Sequence, residues 1–415
     1  MKAEAKKFRY TKYTCFYTYL AMSVIFSLPP LLFMTFRNEY GVSYTLLGTL
    51  VLTNFLTQLT VDLIFTFFNR FFNLRTTARI MPLLTTLGLL TYAIVPSVFP
   101  EHAYIGLLVG TIIFSIAAGL CEVLLSPIVA AIPSDTPDRD MSALHSLYAY
   151  GVVMVVVVST VFFKIFGTEN WMYLTIFWAV LPIFASVGFS VFPLPDIDMS
   201  NEASGKLPFK RLKLIALLSL CIFLGSSAEN SMTNWISSFL ENALHLPKTV
   251  GDTLGLALFA VLIGLTRTLH SRYGGNISKI LLWSMVGASV CYLVIGFSSN
   301  MVVSLIACIL TGLLTSMLWP GTLILMEEKC PSPGVAAYAL MASAGDLGGS
   351  VAPQLLGIVV DNVSASNWAI KLSQTLSCSP EQIGLKAGML VAAIFPVLGV
   401  ILLIYMIRKF KKNSI

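Results

Sequence analysis

Charge is scarce in this chain. Only 11% of its 415 residues are Asp, Glu, Lys or Arg, against about a quarter in an ordinary soluble domain. With 56% hydrophobic residues, no soluble core could bury so much apolar surface. Histidine is rarer still. The four histidines are scattered, and neither His-x-x-x-His nor Cys-x-x-Cys spacing occurs, so a metal centre has no ligand pattern to build on. No Gly-x4-Gly-Lys-Ser/Thr loop is present, which argues against nucleotide-driven pumping. An intramembrane enzyme should show clustered nucleophile and base, and a membrane sensor a substantial soluble output segment. The sequence shows neither, and it calls for no cofactor.

What the chain has is long apolar runs. A spanning helix needs about 20 apolar residues, and such runs fall at 13–36, 45–68, 79–99, 103–132, 142–165, 170–193, 211–240, 249–271, 277–297, 300–328, 334–361 and 382–408. The expectation is an all-α membrane protein of twelve transmembrane helices. The net charge of +6 invites a nucleic-acid reading, but its distribution orients the chain instead. With the N-terminus placed inside, 21 Lys and Arg lie on the inner side. The outer side receives five: Arg37, Lys164, Lys248, Lys371 and Lys386. That asymmetry is what the positive-inside rule expects with both termini cytoplasmic. Segment 1 runs past the length of a signal peptide without a small-residue cleavage site, and reads as a retained first helix. Of seven cysteines, only Cys378 lies clearly in an outer loop, so no disulfide framework is implied.

The polar stretch 194–210 falls after six helices and divides the chain into an N-terminal bundle, 1–193, a cytoplasmic linker, and a C-terminal bundle, 211–415. A trace of duplication supports the division. Gly119-Leu120 stands eight residues before Pro127 in helix 4, and Gly312-Leu313 eight before Pro320 in helix 10. Such paired Gly and Pro positions suit the repeats of carriers, since small residues let helices approach and proline frees a carbonyl. The longest outer loop, 362–381, contains Trp368, Ile370 and Leu372, and is expected to lie along the membrane surface.

Against this apolar background the intramembrane polar residues stand out. Glu122 lies deep in segment 4, where a carboxylate is expensive unless it faces protein or a wet cavity. Burial disfavours a charged carboxyl, which suits Glu122 to loading a proton on one side and releasing it on the other. The plainer role is a neutral acid bonding a neighbouring helix. Ser126 shares its face. Asp62 lies on a stripe with Asn54 and Gln58, fitting either a proton or cation site or an interhelix latch. In helix 7, Glu229 and Asn230 form a polar cluster with Thr233, Asn234 and Trp235 at the depth where carriers bind substrate. Asp346, on a stripe with Ser343, Ser350 and Gln354, is expected to pair with Arg267 as a gate or a structural link. Trp235, Trp319 and Tyr148 can stack on a planar ligand or simply pack. His145 can transfer a proton or bond locally.

Several of these stretches resemble a known family. Twelve helices, a 6+6 division and a charged 2–3 loop, Asn69-Arg70-Phe-Phe-Asn-Leu-Arg75, look like the major facilitator superfamily, with Asn69 where an Asp is usual. Within it, Gly119-Leu-Cys-Glu122 with Ser126-Pro127, Glu229-Asn-Ser-Met-Thr-Asn-Trp235, Leu318-Trp-Pro-Gly321 and Ala344-Gly-Asp-Leu-Gly348 resemble the fucose permease branch. The resemblance implies two pseudo-symmetric six-helix bundles around one central site, with Glu122 as the proton-coupling acid. It implies a small-molecule substrate, protons as the coupling ion, with sodium left open, and a monomer in the lipid bilayer of the cell membrane of a bacterium. Two departures are visible. Helix 1 reads Phe26-Ser-Leu-Pro-Pro-Leu-Leu, without the branch's second acid, and helix 5 carries His145 and Tyr148 where the branch has amides. A secondary transporter of a small polar solute, with a sugar as the leading class, is therefore expected. The alternative is a proton-coupled exporter of drugs or metabolites.

Overall fold

The computed structural model describes residues 7–68, 71–135, 137–195, 209–330 and 335–412. Asn69 and Arg70 of the 2–3 loop, and most of the 194–210 linker, lie outside the described residues. Everything between the short loops is helical. The successive long helices are α1 (Arg9–Tyr40), α2 (Tyr44–Phe68), α3 (Leu74–Val98), α4 (Ala103–Ala131), α5 (Pro137–Phe166), α6 (Trp171–Val191), α7 (Phe209–Asn242), α8 (Lys248–His270), α9 (Ile277–Phe297), α10 (Met301–Lys329), α11 (Val335–Ser364) and α12 (Pro380–Lys411). Eleven are long and apolar enough to cross a membrane. The exception is α11, a 30-residue helix whose Asp346, Gln354, Asp361 and Asn362 dilute its apolar character.

The loop 362–381 contains a short amphipathic helix, Asn367–Leu376. Ala369 and Ser373 face inward, while Trp368, Ile370 and Leu376 are exposed, the pattern of a segment lying along an interface. All seven cysteines are free.

The chain divides into two compact units. One takes in residues 1–42 and 53–202, and the other 43–52 and 203–415. In the first, α3 packs on α4 and α6, and α1 on α5 and α6. Small residues set the α3–α4 spacing: a Cβ on Gly110 would stand 2.7 Å from the Tyr92 nitrogen, so the backbones touch as in close-packed membrane helices. In the second unit, α7 packs on α11, α11 on α12, and α9 on α10 and α12. The first turns of α2 belong to this unit, because they lie on α11. Gly48 faces Gln354 and Pro353, and Gly357 faces the Tyr44 carbonyl.

The two Gly-x7-Pro helices fold differently. α4 continues through Pro127, whereas α10 breaks into Met301–Thr315 and Leu318–Lys329. Proline cannot donate to the carbonyl four residues earlier, which for Pro320 is that of Ser316. That carbonyl accepts from Arg267 Nε at 2.9 Å. An outside donor thus satisfies the group the proline leaves open, the usual condition for a broken helix in a membrane.

Candidate functional site

In the first unit the polar groups converge on α4. A Cβ on Gly119 would meet Val61 Cβ at 2.9 Å and the Gln58 carbonyl at 3.1 Å, so α2 lies directly against α4. One residue beyond Val61 and one turn beyond Gly119 stand Asp62 and Glu122, close enough for their charges to interact. Glu122 is accessible although it lies mid-helix, and Asp62 is half-buried. One Asp62 carboxyl oxygen is sealed from solvent and takes no hydrogen bond. Among the described residues neither acid forms an ion pair. The earlier part of the α2 stripe has a structural job. Gln58 Nε2 donates to Asn54 Oδ1 at 2.8 Å, and Ser115 Oγ donates to the same oxygen at 2.7 Å. Asn54 and Gln58 latch α2 to α4, and Asp62 lies outside that latch.

Two tyrosines complete the group. The Tyr19 hydroxyl of α1 bonds with Ser126 and lies within electrostatic reach of Glu122 and Tyr148. Tyr148 is half-buried, its ring held edge-on to Phe26 at 5.6 Å. Tyr19 was not singled out from the sequence. Its phenol supplies α1 with a polar group beside Glu122, seven residues before the stretch where a second acid was sought. The side chain of His145 lies outside the described residues.

In the second unit the centre is an ion pair. Arg267 lies 3.1 Å from Glu229 Oε1 and, through Nε, on the Ser316 carbonyl. Its partner is therefore Glu229 and not the expected Asp346, because the break in α10 fixes the guanidinium on the α7 side. Asp346 is 5% exposed in α11. Next to it, the six-membered ring of Trp319 lies against Gly345, filling the place of a Cβ. Asn230 Nδ2 donates to the Ser226 carbonyl and hydroxyl, both at 3.1 Å, and remains half-buried. Trp235 is fully buried, with its indole nitrogen on the Pro353 carbonyl at 3.1 Å and its ring 5.7 Å from that of Tyr44. It offers no face to a ligand here and serves packing.

Comparison with known proteins fits this architecture. The model of the Major Facilitator Superfamily matches residues 14–353. The chain belongs to the major facilitator superfamily. No curated protein matches it by sequence. Among solved structures, it is similar to an inward-facing bacterial homologue of the human lysosomal transporter Spinster, with TM-score 0.73, 12% identity and coverage of 99% and 98% of the two chains. A D-xylose-proton symporter gives TM-score 0.72 at 13% identity over 94% and 97%. The E. coli fucose:proton symporter gives 0.56 at 13% identity over 94% and 98%. At such identities the likeness is one of fold.

As a superfamily member the protein is an integral membrane transporter and not an enzyme. Its chemistry is then binding and proton exchange, which polar side chains on rigid helices can supply. The first unit offers a carboxyl pair that, among the described residues, forms no ion pair and is flanked by hydroxyls. The second offers a carboxylate held by an arginine, beside an amide. Sequence reading assigned no site role to Glu241, Lys248, Asp252 or Asp361. Lys248 and Asp252 share one helix face at i,i+4 spacing, a signal present in the sequence, but their partners on α7, Glu241 and Ser237, come from across the turn between the helices.

Proposed function

We propose that this superfamily member moves a small polar solute, with a sugar as the leading class, by alternating access coupled to proton symport through Glu122. The observation that carries the reading is the Asp62–Glu122 pair. Two like charges in a medium of low dielectric repel strongly, and among the described residues no basic side chain pairs with either. The pair is best balanced with one proton, and an accessible Glu122 can exchange it. Tyr19 and Ser126 give that proton hydrogen-bonding neighbours. Glu229 and Asn230, with Tyr148 and Trp319, are the side chains proposed to meet the solute. Arg267 holds Glu229 in place, and Asp346 belongs to the packing and gating of α11.

The motifs around Glu122, Glu229, Trp319 and Asp346 support placing the chain with the fucose permease branch. The 21-to-5 distribution of basic residues supports cytoplasmic termini, and the branch resemblance supports a bacterial plasma membrane. The 6+6 pattern supports bundles 1–193 and 211–415 joined by a cytoplasmic linker, working as a monomer.

A second reading, export of an amphipathic compound by proton antiport, draws on one observation. The first unit has an apolar groove of about 560 Å³ lined by Leu56, Ile64, Phe65, Ile112, Ile116 and Leu120, among others. A thermal-shift screen of purified protein against sugars, nucleosides and amphipathic drugs separates the two readings. In proteoliposomes under a pH gradient, Glu122→Gln should abolish accumulation while retaining exchange. Accumulation at the wild-type level would remove Glu122 from the coupling role.

A further inference from the structure

The end of α7 and the start of α8 carry a second group of ionisable side chains, apart from Glu122 and from the Glu229–Arg267 pair. Its centre is Asp252, 1% exposed. Asp252 lies in a π-helical turn, Gly251–Ala257, a geometry that is rare and recurs at functional sites. Gly255 brings this turn hard against Leu240 of α7, leaving no room for a Cβ. The acid is thereby pressed into α7, where the Ser237 hydroxyl donates to its Oδ1. Lys248 Nζ lies 3.4 Å from Asp252 Oδ2 and 3.7 Å from Glu241 Oε2. Both of those oxygens are sealed from solvent, and neither accepts a hydrogen bond.

One ammonium therefore faces two carboxylates, which leaves the cluster one positive charge short and two buried acceptors with one distant ammonium between them. Each is costly at low dielectric. Among the described residues, the elements packed on the π turn do not supply the missing charge. The π turn packs on α7, on the rest of α8 and on the first part of α10. α7 contributes Ser237 and Glu241, α8 contributes Lys248, and the first part of α10 carries Cys308 as its sole ionisable residue. His245 in the connecting turn is bonded to Gln382 at 2.8 Å.

We propose that Asp252 and Glu241 form a second proton-binding site, holding one proton between them beside Lys248. A proton fits where a metal ion does not. It turns one carboxyl oxygen into a donor without adding volume, whereas the Lys248 ammonium already occupies the space a metal would need. Among the described residues no group of three or more His, Cys, Asp or Glu could hold a metal. With the proton bound, one carboxylate remains to face the Lys248 ammonium and the charge of the three groups closes. The site stands independently of the Glu122 reading.

The test is proton uptake by the purified full-length protein in detergent. A pH-indicator dye in weak buffer counts protons on acidification, and infrared spectra follow the protonated-carboxyl band. Asp252→Asn and Glu241→Gln should each take up one proton fewer than wild type and lose one carboxyl component. Glu241 is half-buried, so its variant keeps the test available if Asp252→Asn does not fold. Wild-type uptake in Glu241→Gln would overturn the proposal. So would suppression of uptake by sodium, at constant ionic strength against choline, that vanishes in the variants, since the site would then be a sodium site. Glu122→Gln removes a different proton. Loss in that variant alone supports the Glu122 reading and sinks this one, and loss only in Asp252→Asn and Glu241→Gln does the reverse.

Discussion

Arg267 bridges Glu229 and the Ser316 carbonyl, with Nε 2.9 Å from the carbonyl that Pro320 leaves without a helical donor. One guanidinium thus meets a carboxylate of α7 and a broken turn of α10. Its planar fork suits two acceptors at once, which a lysine cannot match. Arg267→Met should strand both acceptors. Because Arg267 is about a third exposed, solvent screens part of the loss, and the expected destabilisation is on the order of 1–3 kcal/mol. Adding Glu229→Gln should recover part of it. Thermal unfolding of the single and double variants in detergent measures both effects.

Tyr19 bonds with Ser126 through its hydroxyl, and Tyr19→Phe removes that hydroxyl while keeping the ring. A neutral hydrogen bond is worth about 1 kcal/mol net, and uptake driven by a pH gradient should fall by roughly fivefold while the protein stays folded. Counterflow without a gradient should change less. If the two fall equally, Tyr19 serves binding and not proton handling.

Much of the frame is legible in the sequence, because lipid forces each span to be a long apolar helix. The assignment of 45–68 meets Tyr44–Phe68, and 277–297 meets Ile277–Phe297. What a single sequence withholds is pairing between helices. Glu229 and Arg267 were each visible as intramembrane charges, yet Arg267 was assigned to Asp346, because nothing in the sequence reports which face of α8 looks at α7. The Gly-x7-Pro match likewise treats α4 and α10 alike, although only α10 breaks there. Proline permits a break. Here an external donor, Arg267, satisfies the carbonyl it frees. Tyr19 was missed for a related reason: a tyrosine in an aromatic-rich helix carries no sign that its hydroxyl faces an acid.

Gly345→Ala should collide with the Trp319 ring, which occupies the place of the added methyl. Overpacking of this kind costs about 1–3 kcal/mol. Trp319 is only half-buried, so its ring has some room to turn, which places the effect toward the lower end. Trp319→Leu should relieve the clash in the double variant. Tryptophan fluorescence and thermal unfolding report the two steps. Equal melting of Gly345→Ala and wild type would mean the ring moves freely.

Asp361 of α11 takes the first two amides of α2, with Tyr44 N at 3.2 Å from Oδ1 and Thr45 N at 2.6 Å from Oδ2. Helix N-termini leave such groups unsatisfied, and a carboxylate there both accepts their bonds and opposes the positive end of the helix dipole. The start of α2 is held further by Asn242, which donates to the Tyr44 hydroxyl at 2.9 Å. Asp361→Ala should therefore cost about 0.5–2 kcal/mol, as loss of an N-cap does. Asp361→Asn, which keeps an acceptor but loses the charge, should cost less. Hydrogen–deuterium exchange gives the sharper reading: the amides of residues 44 and 45 should exchange faster in Asp361→Ala, while those in the middle of α2 stay protected. Unchanged exchange at those two amides would show that Ser43, whose hydroxyl accepts from Leu46 N at 3.2 Å, is enough to hold the helix start on its own.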